Sequence, residues 1–287
     1  MDSLFNETRN ILRKYGITAN KSLGQNFLIN ENAVEKIIEG AEISNEDLVI
    51  EIGPGLGTLT KELLEKAGKV IAIELDKRMI EILTDRFCLY NNFELINDDV
   101  LKVDLDRIIE NNLKTNNLKN VKIVANLPYY ITTPIVMKLL EDNLPIESIT
   151  IMIQKEVADR LIEQPGGKNT GAITYAIYYY AESKEILKVE PNSFIPEPAV
   201  ESKVIKLNIR KEKAVEVIDE KLMFNIIKYA FMQRRKTLVN ALEVSKIFKE
   251  KKDIIDMLEK LEINTKIRGE ALSLEDYANI ANFVIRM

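Results

Sequence analysis

Short apolar runs that alternate with helix-like stretches constrain the fold of this chain more than any other feature of its sequence. Five such runs are bounded by turn residues, at positions 48–52, 70–73, 93–96, 121–125 and 149–153. Helical patterns, such as those at 58–67 and 78–87, lie between most of them. This alternation predicts an α/β fold, in which a parallel sheet is covered by helices on both faces.

The rest of the chain predicts an edge for this sheet and a second domain. Two further strand candidates, 186–189 and 204–207, are expected to complete one edge of the same sheet. A charged connector over 210–221 then leads into amphipathic helical patterns. We therefore predict an α/β domain over residues 1–210 and a small, all-helical C-terminal domain over residues 211–287.

The composition excludes several kinds of catalytic chemistry. The 287 residues include no His, one Cys and no Trp. Ser-His-Asp triads, Cys-His pairs, His-ligated metals and Cys-rich zinc sites are therefore excluded, and we expect no metal. Cys88 cannot form an internal disulfide, which is compatible with a reducing cytosol. We expect neither a signal peptide nor a membrane span, so the predicted location is cytoplasmic.

A glycine-rich loop follows the first predicted strand and leads into a helix. The loop contains Gly53, Gly55 and Gly57, and the next strand ends at Glu74. Glycines let a ligand approach the backbone closely, and an acidic residue about 20 positions further on can bind a ribose. Dinucleotide sites and S-adenosylmethionine (SAM) sites both need these features, so hydride transfer and methyl transfer both remain open.

The ends of the third and fourth predicted strands separate these two activities. Asp99 follows the third strand, where its carboxylate can accept a hydrogen bond from the adenine amine of a cofactor. Asn126 follows the fourth strand, where a methyl acceptor would sit. The alternative for Asp99 is a solvated acidic turn or a helix cap. No obvious acid or base for hydride transfer accompanies the glycine loop, which disfavours a NAD dehydrogenase.

The segment Asn126-Leu127-Pro128-Tyr129 carries groups that can hold a nucleobase amine. The Asn126 side-chain oxygen and a main-chain oxygen near Pro128 can accept the two N–H groups of an adenine amine, which turns the nitrogen lone pair toward an electrophile. Tyr129 can stack on the base, and Phe194 can stack on its opposite face. The alternatives are an ordinary turn and a core aromatic. We expect nearby prolines to keep Phe194 out of regular structure.

A local basic surface is needed if this chain binds RNA, because its formal net charge is -5. Gln233-Arg234-Arg235-Lys236 is the densest basic cluster, and Lys21 is a further candidate for contacts to RNA phosphates. The alternative interpretation of the cluster is a solvated helix face.

Taken together, these motifs resemble the ribosomal RNA adenine N6,N6-dimethyltransferase family, the KsgA-type enzymes. The likeness covers nearly the whole chain. It rests on segments at 21–28, 53–57, 73–76, 98–99, 126–129, 193–198, 200–202 and 231–236. One departure is Ala199, which stands where many relatives carry Lys, so the basic RNA contact of those relatives is not expected there.

The resemblance implies a Rossmann-like, SAM-dependent methyltransferase domain followed by a helical domain that contributes to RNA binding. It implies that SAM contacts Asn26, Leu28, Gly53, Glu74, Asp99 and Asn126. It also implies that Tyr129 and Phe194 enclose the target adenine, beside the catalytic candidates Asn126 and Pro128. The family dimethylates two adjacent adenosines in the terminal hairpin loop of small-subunit ribosomal RNA. The implied partner is this RNA or the 30S particle, bound by a monomer during small-subunit biogenesis.

Two other functions stay open. The related macrolide-resistance methylase of large-subunit RNA shares the cofactor and adenine motifs. The long helical C-terminal region, and Leu127 in place of the Ile frequent in resistance enzymes, favour the small-subunit substrate. The second alternative is a ribosome-assembly or transcription factor that binds nucleic acid without turnover. Intact Gly53, Glu74, Asp99 and Asn126 argue against it.

Overall fold

A computed structural model describes residues 3–20, 23–167 and 169–287. The chain divides into two compact units, of which the first comprises Met1–Ala158 and Ser183–Ile209. The second comprises Asp159–Glu182 and Arg210–Met287. The second unit therefore combines the C-terminal segment with Asp159–Glu182, which the sequence analysis assigned to the first domain.

The strands alternate with helices along the first half of the chain, as the apolar runs predicted. In chain order they are β1 (Phe27–Leu28), β2 (Asp47–Ile52), β3 (Lys69–Glu74), β4 (Phe93–Asn97), β5 (Asn120–Asn126), β6 (Ser148–Gln154), β7 (Ala181–Val189), β8 (Phe194–Ile195) and β9 (Ser202–Ile209). Seven of them form one sheet in the order β4-β3-β2-β5-β6-β9-β7. The short strands β1 and β8 pair with each other in an antiparallel arrangement.

The sheet is parallel from β4 to β6 and becomes antiparallel where β9 joins β6. The five predicted runs are the five parallel strands, and the two later candidates form the predicted edge. Strand β7 begins five residues before the predicted start at position 186. Its N-terminal half is largely exposed and polar, so it lacks the apolar run by which a buried strand is recognised.

Helices connect the strands and make up most of the C-terminal segment. They are α1 (Leu4–Lys14), α2 (Glu31–Ala41), α3 (Thr58–Lys66), α4 (Lys77–Phe87), α5 (Leu105–Asn116), α6 (Thr132–Glu141), α7 (Lys155–Ile162), α8 (Ala172–Tyr180), α9 (Glu220–Met232), α10 (Leu238–Glu243), α11 (Lys251–Lys260) and α12 (Leu274–Ile285). Several begin with a side-chain cap. Asn30, for example, accepts a hydrogen bond from the Ala33 N–H at the start of α2. Within the described ranges, no helix is both long and apolar enough to cross a membrane.

The core of the first unit lies between the sheet and its helices. Strand β2 is buried along its whole length, which explains its nearly continuous apolar sequence. One face of five adjacent strands contributes Val70, Val49, Val124, Met152 and Val204 to a single apolar cluster. Ile37 of α2, Leu63 of α3 and Ile82 of α4 belong to the same cluster. The predicted α/β architecture with helix-covered faces and C-terminal helices is confirmed.

The second unit has its own aromatic core. The Tyr175 ring on α8 lies 5.2 Å from the Tyr277 ring and 5.4 Å from the Phe231 ring, measured between centroids. The Tyr175 hydroxyl donates to the Leu272 carbonyl at 2.7 Å, so the polar end of this buried ring is satisfied. These contacts join α8 to the C-terminal helices within this unit.

Candidate cofactor and adenine site

One cavity of the first unit lies at the carboxyl ends of the parallel strands. In open parallel sheets this edge is the usual place for a ligand. The structure brings the sequence-predicted SAM and adenine residues of this unit together there. The cavity is lined by Asn26, Leu28, Gly53, Glu74, Asp99, Asn126, Pro128, Tyr129 and Phe194, among others.

The glycine loop contributes Gly53 and Gly55 to the wall of the cavity, and its backbone adopts conformations that disfavour side chains. Gly53, Gly55 and Gly57 have φ angles of 69°, 58° and 82°, all in the left-handed region. A Cβ atom on Gly57 would also lie 2.4 Å from the Phe87 ring, well inside contact distance. The loop therefore packs tightly on α4 while it exposes its backbone to the cavity.

Glu74 is positioned at the end of β3 by two backbone N–H groups. Its Oε2 accepts from Gly55 at 3.1 Å and its Oε1 accepts from Asp76 at 2.8 Å. Burial raises the pKa of this carboxyl, although the two backbone hydrogen bonds oppose the shift. Each oxygen retains acceptor capacity beyond these bonds, and Glu74 lines the cavity. This arrangement fits the two hydroxyls of a ribose.

Asp99 caps a turn and also lines the cavity, so the two predicted roles are compatible. Its Oδ1 accepts from the Leu101 N–H at 3.0 Å, so it stabilises the turn after β4. Its Oδ2 lies 4.0 Å from the Lys102 ammonium, at the limit of an ion pair. Because Asp99 also lines the cavity, one carboxylate can hold the turn and accept from an adenine amine.

Glu51 is a cavity residue to which the sequence analysis assigned no role. It is 2% exposed, and its Oε2 accepts from the Thr60 hydroxyl at 2.6 Å. Burial raises the pKa of Glu51 to about 8, and the charge of Glu74 adds to the shift. The side chain is therefore mostly a neutral acid at pH 7. The available signal was its place in a strand whose other residues are almost all apolar.

Two oxygen atoms of residues that line the cavity accept no hydrogen bond from the described residues. The Asn126 Nδ2 donates to the Asn26 carbonyl at 3.3 Å, which orients the amide and leaves its Oδ1 with no donor among the described residues. The Pro128 carbonyl already accepts from the Ile131 N–H and the Thr132 hydroxyl, both at 3.2 Å. Across the described ranges no donor reaches the Leu127 carbonyl. The free main-chain acceptor is therefore that of Leu127, next to the predicted Pro128.

Two aromatic residues, Tyr129 and Phe194, line the same cavity as Asn126 and Leu127. Tyr129 is half-buried, and its hydroxyl shares a hydrogen bond of 2.7 Å with the Ser202 hydroxyl. Burial raises the pKa of this phenol. Phe194 is 2% exposed and belongs to the apolar cluster of the first unit, yet it also lines the cavity. It therefore serves as a core aromatic and as a cavity wall.

The expectation that prolines keep Phe194 out of regular structure is wrong. Phe194 lies in β8 and pairs with Leu28 of β1. A 3₁₀ turn at Pro191–Ser193 precedes it, and the Ser193 carbonyl accepts from the Ile29 N–H at 2.8 Å. The prolines flank the short strand without occupying its paired positions, so the backbone hydrogen bonds can form.

The segment before β1 is attached to the cofactor edge of the sheet. The Gln25 amide donates to the Asp76 carboxylate at 2.8 Å, and its oxygen accepts from the Asn20 N–H at 2.9 Å. This attachment positions Asn26 beside Asn126, where its carbonyl orients the amide. Lys21, predicted to contact RNA, lies outside the described residues.

The predicted basic cluster lies in the second unit, in the turn between α9 and α10. It is not a helix face, because α9 ends at Met232. Arg234 pairs with Glu270 at 3.1 Å, which neutralises much of its charge. Arg235 and Lys236 are exposed, and neither has an acidic partner among the residues that the structure describes. Within the same residues, no group of three or more acidic, His or Cys side chains could hold a metal ion.

Comparison with known proteins decides the family. The model of the family described as ribosomal RNA adenine dimethylase matches residues 16–286. The chain belongs to this family. A ribosomal RNA small subunit methyltransferase A from Alkaliphilus oremlandii is 48% identical over 96% of this chain and 95% of its own length. The protein of the same name from Clostridium botulinum (strain Langeland) is 50% identical over 96% and 98%, respectively.

Solved structures agree with this family assignment. A dimethyladenosine transferase from Plasmodium falciparum superposes with a TM-score of 0.74 at 28% identity, covering 88% of this chain and 95% of that one. The 23S rRNA methyltransferase ErmE gives a TM-score of 0.68 over 91% and 100%, but at 23% identity it shows the common fold alone.

As a ribosomal RNA adenine dimethylase, this chain is a SAM-dependent methyltransferase. The cavity fits that cofactor. Its glycine loop exposes backbone for close approach, Glu74 can accept from the ribose hydroxyls, and Asp99 can accept from the adenine amine. The enzyme class and the cofactor predicted from the sequence are confirmed.

Proposed function

We propose that this enzyme dimethylates the N6 amines of two adjacent adenosines in the 3′-terminal hairpin loop of small-subunit ribosomal RNA. The proposal rests on two oxygens of residues that line the cofactor cavity, Asn126 Oδ1 and the Leu127 carbonyl. Neither accepts a hydrogen bond within the described residues. The names of the two relatives, each about half identical over nearly full length, support the choice of the small subunit.

The chain's contribution to the cofactor site is to bind and orient SAM. In this proposal Glu74 accepts from the ribose and Asp99 accepts from the adenine amine, while Gly53, Asn26 and Leu28 form the walls. When bound, SAM supplies an electrophilic methyl group on a sulfonium. Because that positive charge disappears during methyl transfer, the protein mainly has to align the reacting atoms, which can lower the barrier by several kcal/mol.

The adenine amine is a poor nucleophile, since its lone pair is delocalised into the ring. Asn126 Oδ1 and the Leu127 carbonyl accept its two N–H groups and so direct the lone pair toward the cofactor. Tyr129, held by Ser202, stacks on the base, and Phe194 closes the other side. The proton becomes acidic only after the nitrogen is alkylated, so solvent can take it and no general base is required.

The second methyl transfer to the same nitrogen changes how many hydrogen bonds the amine can donate to the two oxygens. A monomethylated amine retains one N–H group, so one of the two oxygens loses its donor. Asn126 and Leu127 both line the cavity, and either oxygen can accept the one N–H group that remains. The same pair of acceptors can therefore serve the second methyl transfer.

RNA binding is proposed to involve the C-terminal domain, residues 211–287. Arg235 and Lys236 are its exposed cations in the α9–α10 turn, and both are available to phosphates. Arg234 contributes less while Glu270 neutralises it. We extend the proposal to a monomer that acts in the cytoplasm on the small-subunit particle, with Lys21 as a further RNA contact.

The proposal is tested by incubating the enzyme and labelled SAM with unmethylated small subunits and, separately, with large-subunit RNA. Mapping of the modified bases should locate dimethyladenosine at two adjacent positions in the small-subunit hairpin. Label on large-subunit RNA alone would identify a resistance-type methylase. Label in neither substrate, with RNA binding retained, would favour an assembly factor.

A further inference from the structure

Tyr130 lies beside Tyr129 at the same cavity, but the two rings are held differently. A turn over residues 128–131 is closed by a hydrogen bond of 3.2 Å from the Ile131 N–H to the Pro128 carbonyl, and the two tyrosines are its central residues. Tyr129 is half-buried and bonded to Ser202. Tyr130 is 58% exposed, and among the described residues no hydrogen bond or ion pair restrains it.

The inner side of the Tyr130 ring lies against the segment before β1. Its Cδ1 and Cε1 atoms are 3.6 and 3.7 Å from where a Cβ atom on Gly24 would stand. Gly24 has a φ angle of 60°, which disfavours a side chain at this position. One side of the ring therefore lies near Gly24, and more than half of the residue remains exposed to solvent at the cavity.

Single exposed aromatic residues are ordinary, so exposure alone assigns no role to Tyr130. Its position is what points to a role. It lines the cavity that takes the target base, and it follows directly after the tyrosine that encloses that base. When an adenine leaves its stack to enter a pocket, the neighbouring nucleotide loses a stacking partner. An aromatic ring at the edge of the pocket can replace that partner.

We propose that Tyr130 stacks on the nucleotide adjacent to the adenosine that occupies the cavity. This inference rests on the proposed function, because it requires an RNA substrate whose target base leaves its stack. Since the two target adenosines are adjacent, the nucleotide on Tyr130 in one round is the target in another. Tyr130 would then be a substrate-positioning residue for both methylated positions.

The test compares wild type with Tyr130→Ala, Tyr130→Leu and Tyr130→Phe on unmethylated small subunits, with separate KM values for particle and for SAM. Loss of one base stack corresponds to a roughly 5- to 150-fold change in affinity. We therefore expect Tyr130→Ala and Tyr130→Leu to raise the KM for the particle by a factor in that range. Tyr130→Phe keeps the ring face and should stay close to wild type, and the KM for SAM should stay unchanged in all three.

The leucine variant preserves an apolar contact with Gly24 while it removes the ring, so it keeps the test valid if Tyr130→Ala fails to fold. An unchanged KM for the particle in the leucine variant would overturn the inference. A raised KM for SAM alone would also overturn it, because Tyr130 would then only hold the segment of Gly24 over the cofactor. If wild type methylates no ribosomal RNA, the proposed function itself fails and this inference fails with it.

Discussion

Replacing Glu51 by Gln should remove a pH dependence from the stability of the protein. Glu51 is buried on β2, and burial, with a smaller contribution from the charge of Glu74, raises its pKa from 4.5 to about 8. Between these two values the folded state keeps a proton that the unfolded chain releases. The folded state of the wild type is therefore favoured most below pH 4.5 and loses that advantage as the pH rises toward 8.

The magnitude follows from the size of the shift. A proton bound only in the folded state changes the free energy of unfolding by roughly 1.4 kcal/mol per pH unit, and by less near the pKa of the folded state, where the proton is partly lost. From pH 6 to pH 8 the stability of Glu51→Gln should therefore rise by about 2 kcal/mol relative to wild type. The substituted amide still offers an oxygen to the Thr60 hydroxyl, which bonds Glu51 at 2.6 Å, so packing is nearly preserved.

Urea unfolding at pH 6, 7 and 8, without cofactor, measures this difference. Glu65→Gln on α3 is the matched control, because Glu65 is exposed and the same change of charge should leave the pH dependence as in wild type. Most other titrating groups are shared by the three proteins and cancel in the comparison; the exception is Glu74, whose interaction with Glu51 the Gln substitution also removes. If the stability curves of wild type and Glu51→Gln run parallel across this pH range, Glu51 does not hold a proton in the folded state.

Three further variants test the site, the glycine loop and the RNA surface. Asn126→Ala should abolish methylation, because it removes the acceptor that orients the amine, while circular dichroism and the urea midpoint stay near wild type; near-normal turnover would remove this role. Gly57→Ala should lower the free energy of unfolding by about 1–3 kcal/mol, since its Cβ would lie 2.4 Å from Phe87 at a φ of 82°. Gly171→Ala is the control in the same urea assay, because its φ is -130° and nothing lies within 4 Å of its Cβ position; equal effects of the two changes would contradict the explanation. Arg235→Ala combined with Lys236→Ala should weaken binding to small-subunit RNA. Filter binding at several salt concentrations should show a shallower slope of log affinity against log salt, by the amount expected for the loss of about two phosphate contacts. Arg234→Ala, paired with Glu270, should have a smaller effect, and unchanged binding in the double variant would count against this surface.

The positions of the strands were largely predictable from local patterns, whereas their order in the sheet comes from the structure. Strands such as β2 and β5 are buried almost throughout, so most of their residues are apolar and their bounds were predicted to within one residue. The exposed half of β7 carries no such run, and its start was therefore misplaced. The glycine loop, Glu74 and Asp99 were also recognisable, because a strand end followed by a turn places them at one edge of a parallel sheet.

Several features of the site depend on contacts between residues far apart in sequence, which local sequence patterns do not contain. The turn before α6 brings two donors to the Pro128 carbonyl, so the main-chain acceptor without a donor in the described residues is the Leu127 carbonyl. The strand at Phe194 forms because β1, far away along the chain, supplies its partner. The pKa of Glu51 is raised because tertiary packing buries its carboxyl, and the charge of Glu74 on the next strand adds to the shift. A residue's own type and its near neighbours set its secondary-structure preference, but hydrogen-bond partners and desolvation come from residues distant in sequence.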